Sequence, residues 1–187
     1  MSGEEMSTLT DTDRQKISDY LAGRHIPAGI GTEESACSIA AINLALNGKL
    51  SDDIPACMSS VIGRWIIVVQ DAMPDEMRNS AGWRTLLPLA AGTGRDPGDE
   101  AARLEIVMEW MWGTVLPYIQ PIADARGFGA VWRAMCEQRS AEAAEAAAEA
   151  ARAAARAAAQ TEAAAWATFD PCGLLARLVG KDVANVG

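Results

Sequence analysis

AEAAEAAAEAARAAARAAAQTEAAAWA, residues 141 to 167, holds 18 alanines in 27 positions, with Glu142, Glu145, Glu149, Arg152, Arg156 and Gln160 recurring at steps of three and four. Alanine has the highest intrinsic helix propensity, and neither glycine nor proline interrupts the run. The stretch therefore predicts a long helix that needs less tertiary support than most. At about 1.5 Å per residue it would extend roughly 40 Å. Three- and four-residue steps keep the six polar side chains on one narrow stripe and leave the other faces alanine. That inverts the coiled-coil pattern, in which large apolar residues repeat and the remainder is polar. Alanine faces permit close approach by another helix and carry no nucleophile, acid or metal ligand. The segment reads as a spacer, as a helix folded back on the body, or as a packing face for a partner, with ice or surface binding a minor alternative.

The residues after the alanine run limit those readings. Asp170 and Pro171 suit the N-cap and first position of a short amphipathic helix bearing Leu174, Leu175, Leu178 and Val179. Together with Trp166 and Phe169, these leucines would expose a sizeable apolar patch on a free tail. They are expected to bury against the body, a second subunit or another protein. The interface candidates are accordingly Glu142, Glu145, Glu149, Arg152, Arg156, Trp166, Phe169, Leu174, Leu175 and Leu178.

Upstream, helical signals recur. Met1 to Thr10 is small and polar and is expected to be disordered. Asp11 or Thr12 should cap a helix carrying Ile17, Tyr20 and Leu21 and ended by Gly23. Thr32, with Glu33 and Glu34 in the first turn, should start a buried helix closed by Gly48, with Asn43 as a core amide bonded to backbone. Within Ser51 to Met73, the β-branched residues favour strand. The spacing of Met58, Val61, Ile62, Trp65, Ile66, Val69 and Met73 follows i, i+3, i+4, i+7 and decides for helix. Pro74 ends it, Asp75 and Glu76 begin a shorter helix through Leu87, and Asp99 restarts a helix expected to lie centrally in the core. Pro117 and Pro121 should mark its exit and the next short helix, Phe128 a pivot between two glycines, and Ala130 a return to helix. The fold expected is all-α: a compact bundle of six or seven helices with a long alanine-rich helix and a short amphipathic end helix. Residues 1–10 form a disordered leader, 11–139 the helical body, and 140–187 the alanine-rich helix with its end-piece.

Composition excludes several functions. The net charge is −9, and the acidic excess belongs to the body, with 12 basic against 19 acidic residues up to Arg139 and 4 against 6 beyond it. Direct nucleic-acid or anionic-membrane binding needs clustered Lys and Arg and is not expected. The longest strongly apolar run, Trp65 to Val69, is too short to span a membrane. Cys37, Cys57, Cys136 and Cys172 are scattered without CxxC spacing and read as buried apolar residues. Nothing marks secretion, and a cytoplasmic location is expected.

Chemistry is sparse. His25 is the single histidine, which removes multi-histidine metal sites and leaves one residue to serve any triad. Cys37 could pair with it. Glu105 and Glu109 lie one helical turn apart but lack an ExxH partner. Gly92-Thr93-Gly94-Arg95-Asp96-Pro97-Gly98 precedes a helix, a setting that can hold phosphate, yet it lacks the Lys-Ser/Thr ending of a P-loop and reads as a connection. Arg64, Arg78, Arg84 and Arg95 could gather around an anion or locally neutralise Asp71, Asp75 and Glu76. No cofactor is implied. The reading is a non-enzymatic, bacterial-type protein that self-assembles or binds a protein partner along the alanine-rich helix. One alternative is an acidic inhibitor of a basic, nucleic-acid-binding protein, and another is a small hydrolase or transferase with a pocket near His25 and Cys37.

Overall fold

Thr10 opens helix α1 (Asp11–Leu21) with a capping box: its side chain accepts from the Asp13 N–H, and the Asp13 carboxylate accepts from the Thr10 N–H. The helix thus starts beside the expected Asp11 or Thr12. The computed structural model describes residues 9–94, 96–140, 143, 146–147 and 168–180. Regular structure among them is helical, with no strand beyond an isolated bridge between Gly31 and Ala36. No described helix is long and apolar enough to cross a membrane. The described chain forms two units: one takes the residues up to Ile106 and resumes at Asp170, and the other runs from Val107 to Phe169. The segment expected over 140–187 lies for the most part outside the described residues.

In the first unit, α2 (Ser38–Asn47) begins five residues later than Thr32 suggested, with Cys37 as its N-cap. The TEES sequence resembles a helix start but closes a tight turn instead. Thr32 and Ser35 exchange backbone hydrogen bonds, and Gly31 sits at φ +76, where a Cβ would stand 2.0 Å from the Ser35 carbonyl oxygen. Only glycine fits there. The other end is as expected, with Gly48 left-handed at the C-cap. Asn43 is buried and donates to the Ser51 and Asp53 carbonyls at 2.7 and 2.8 Å. It ties α2 to the loop that leads to α3 (Ser60–Ala72).

Helix wins over strand in α3, as spacing required. Ile62, Trp65, Ile66 and Val69 face the core, while Val68 is 70% exposed. The next segment is two helices rather than one. α4 (Asp75–Arg78) stops at Asn79, and Ser80 caps α5 (Ala81–Ala91) by accepting from the Trp83 N–H. α1 packs on α2 and α5, and α2 also meets α3 and α5. The last helix, α9 (Pro171–Leu178), is capped by Asp170 and packs on α5 and α3. Leu174, Leu175 and Leu178 are buried in the first unit. Of the destinations expected for these leucines, the fold uses the chain's own body.

Helix α6 (Pro97–Trp110) departs from expectation. It is not central: Leu104 and Met108 are exposed, and Trp110 is its one buried residue. Its apolar positions at i, i+3 and i+4, Leu104, Val107 and Met108, share a face that is left exposed or half-buried. Nor does Pro117 end it. The chain passes through a π-turn at Met111–Val115, where the Leu116 N–H bonds the Met111 carbonyl, and continues as α7 (Leu116–Ala125). Pro117 falls in the first turn of α7, where its missing N–H costs least.

The second unit is built on α7 and α8 (Gly129–Gln138). Phe128, Trp132 and Met135 are buried with Ala123 and Ala147, and Trp112, Leu116, Ile119 and Ala143 pack against them. Phe128 and Trp132 meet edge to face at 5.9 Å, and the Trp132 Nε1–H donates to the Leu116 carbonyl at 2.8 Å. Phe169 packs edge-on against Trp110 and Tyr118, with ring centroids 6.3 and 5.2 Å away. Its carbonyl accepts from the Trp110 indole at 2.6 Å.

Candidate functional sites

His25 follows α1, and its imidazole reaches Asp75 at the start of α4. Nε2 lies 2.8 Å from Asp75 Oδ1, and the Ser35 Oγ is 3.5 Å from Nδ1. Residue types alone would suggest a hydrolytic triad. The geometry does something else: the Ser35 hydroxyl donates to the His25 carbonyl at 3.0 Å, and the contact to Nδ1 is at the limit of a hydrogen bond. The His25 and Asp75 side chains are 54% and 57% exposed, an environment in which an ion pair contributes little. The hydrogen bond from His25, with Arg78 on the same carboxylate, holds Asp75 below the usual carboxylate range. This cluster fastens the segment after α1 to α4.

Cys37 is committed elsewhere. It is buried, its Sγ accepts from the Ala40 N–H at 3.4 Å, and burial pushes the thiol pKa up. A neutral thiol capping a helix is a poor nucleophile. Neither His25 nor Cys37 lines the cleft between α1 and α5.

Two of the four arginines expected around an anion are main-chain clamps. Arg78, only 6% exposed, donates to the Ile26, Gln70 and Met73 carbonyls at 2.7–2.9 Å and to Asp75 at 3.0 Å. Arg84 donates to the carbonyls of Leu21, Arg24 and Asn79 and to the Asn79 side-chain oxygen, and burial lowers its pKa. Arg64 is exposed on α3, and Arg95 lies outside the described residues.

The glycine-rich loop is likewise filled from within. Asp96 accepts from the Gly98 and Asp99 N–H groups and so occupies the α6 N-terminus. Thr93 accepts from the Ser59 N–H, and Glu100 accepts from the Ser60 hydroxyl at 2.6 Å and the Val61 N–H at 3.1 Å. The start of α3, where a phosphate would be favoured, thus holds the chain's own carboxylate. Burial pushes the Glu100 carboxyl up, but the hydrogen bonds from Ser59, Ser60, Val61 and Arg103 outweigh it and hold the pKa at about 2. A depressed folded-state pKa stabilises the fold above the ordinary glutamate range, and that stabilisation is lost as pH falls from about 4.5 toward about 2. Urea midpoints measured between about pH 6 and about pH 3 are expected to fall more steeply for the wild type than for Glu100→Gln. Equal slopes would refute this role.

Among the tail residues, Phe169, Leu174, Leu175 and Leu178 lie where the fold places them, in the second unit and in the first unit's core respectively. Glu142, Glu145, Glu149, Arg152, Arg156 and Trp166 are outside the described residues. Among the described residues, no group of three His, Cys, Asp or Glu side chains stands close enough to hold a metal ion. One feature escapes sequence reading, a cleft between α1 and α5 flanked by Arg14 and Arg84. Its two walls lie some seventy positions apart in the chain, and no motif marks either.

No family model, curated protein or solved structure matches this chain. The residues themselves carry the functional reading.

Proposed function

We propose that this chain acts by protein–protein contact, packing the alanine faces of residues 141–167, which composition reads as a long helix, against a second copy of itself. The observation that carries this reading is the use made of alanine at the start of the run. Ala143 and Ala147, one helical turn apart and away from the polar stripe, pack against the aromatic core of the second unit, Ala147 with no exposed surface. Alanine there is a close-packing side chain rather than filler. Beyond the run, Phe169 and α9 are tied into the fold. Ala154 and Ala158 fall opposite the stripe on a helical projection, and the same packing chemistry is available there to another molecule.

Light scattering over a wide concentration range is expected to show an oligomer. Substituting Ala154 and Ala158 together by glutamate should convert it to a monomer with unchanged thermal stability. A wild-type chain that stays monomeric at all concentrations rejects self-assembly. A double variant that melts early yet keeps the oligomer would assign these alanines to internal packing and also reject it.

A further inference from the structure

The α1/α5 cleft has a volume of about 380 Å³, within the range of small-ligand pockets and toward its lower end. Leu21 and Ala22 from the end of α1, with Pro88 and Leu89 from α5, give it an apolar floor. Arg14 and Arg84 line it as well, and no carboxylate does among the described residues. In a chain of net charge −9, two guanidinium groups without an acidic neighbour in the lining make a local positive field.

The partners of the two arginines set their roles. Among the described residues, the hydrogen bonds of Arg84 go to neutral oxygens, on Leu21, Arg24 or Asn79, so its charge is held in place and not neutralised there. Arg14 reaches one carboxylate, through Nη1 at 3.2 Å to Asp11, whose side chain is fully exposed. Its Nε is enclosed and has no acceptor among the described residues. The far end of Arg14 rests against Gly92, where a Cβ would stand 2.6 Å from Nη2. The bare glycine therefore gives the guanidinium room at the cleft. The hydroxyls of Ser18 and Thr85 donate to the Arg14 and Ala81 carbonyls, which leaves their oxygens as acceptors only.

We propose that this cleft binds a small apolar carboxylate, its hydrocarbon body on Leu21, Ala22, Pro88 and Leu89 and its charged end on Arg14. The Arg14 guanidinium offers a carboxylate a charge-assisted donor, whereas a phosphate group would call for more donors than the cleft presents. The proposal rests on α1 and α5 and not on the reading of residues 141–167.

The test uses the full chain and octanoate as probe, with octan-1-ol and acetate as controls, followed by calorimetry and by amide chemical shifts in NMR. Octanoate is expected to bind saturably and to move signals of α1 and α5. Octan-1-ol lacks the charge and acetate the apolar body, and each should bind at least about tenfold more weakly, as for loss of one charge-assisted hydrogen bond or of the apolar contact. Arg14→Gln should weaken octanoate by about tenfold or more and leave octan-1-ol unchanged. Thr85→Glu, on an exposed helix position, adds a carboxylate to the wall and should abolish octanoate binding while the protein keeps a folded spectrum. The proposal is overturned if octanoate does not saturate, if octan-1-ol binds as well as octanoate, or if Thr85→Glu binds octanoate like the wild type.

Discussion

A chain ended at Phe169 is expected to lose the cooperative unfolding transition of the first unit. Such a truncation removes α9, whose Leu174, Leu175 and Leu178 are at most 3% exposed and pack on α3 and α5. Burial of each leucine is worth roughly 1.5–3 kcal/mol, so the three together supply about 5–9 kcal/mol. A domain's whole net stability is about 5–15 kcal/mol. The core left behind would also expose the parts of α3 and α5 on which α9 packs. Leu175→Ala alone, at a site with no exposed surface, should cost about 2–5 kcal/mol. Thermal melts followed by circular dichroism measure both effects. A truncated chain that melts at the wild-type temperature would sink the assignment of α9 to this core. The same reasoning disqualifies carboxy-terminal deletion as a probe of the alanine-rich segment, because it removes part of the body along with the segment.

Arg78→Met should be nearly as damaging although it preserves most of the side-chain volume. The guanidinium serves three carbonyls from separate places, Ile26 after α1, Gln70 in α3 and Met73 at its end, and it also meets Asp75. A buried carbonyl left without a donor costs about 1–3 kcal/mol. With water reaching part of the vacated space, a total of about 3–5 kcal/mol is expected. Lysine offers its donors from a single nitrogen and cannot span carbonyls that the arginine fork reaches from Nε and Nη1. Arg78→Lys should therefore recover only a minor part of the loss. Urea unfolding at neutral pH is the measurement, and a loss under about 1 kcal/mol for Arg78→Met would show that the carbonyls find other donors.

The difference between Arg78 and Leu175 illustrates what the sequence made readable. Leucine burial follows from spacing, and Asp170-Pro171 announces the helix that carries it. The α3 helix, the Gly48 terminus and the backbone-bonded Asn43 were legible for similar reasons, since each depends on nearby chain, Asn43 on carbonyls 8 and 10 positions on. Arg78 reads as a partner for nearby acids, and Asp75 is indeed one. Its main acceptors are carbonyl groups that every residue carries and that no letter distinguishes. The Thr32 error was of another kind: a good capping pattern stood next to a glycine whose left-handed backbone closed a turn first. Pro117 misled because a π-turn moved it into a position that tolerates proline. The α1/α5 cleft was invisible because Arg14 and Arg84 acquire a common neighbourhood only after folding.

Placing α9 within the first unit also fixes an order of events during synthesis. The helices from Asp11 to Ala91 leave the ribosome before the residues that complete their core, with all of 107–169 made in between. At about 5–20 residues per second, that interval lasts several seconds. For its duration the faces of α3 and α5 that later receive Leu174, Leu175 and Leu178 are bare, while the second unit lacks none of its own residues by the time Phe169 emerges. The newborn chain thus carries a sticky, half-finished body as a matter of topology, and closure waits for one of its last helices.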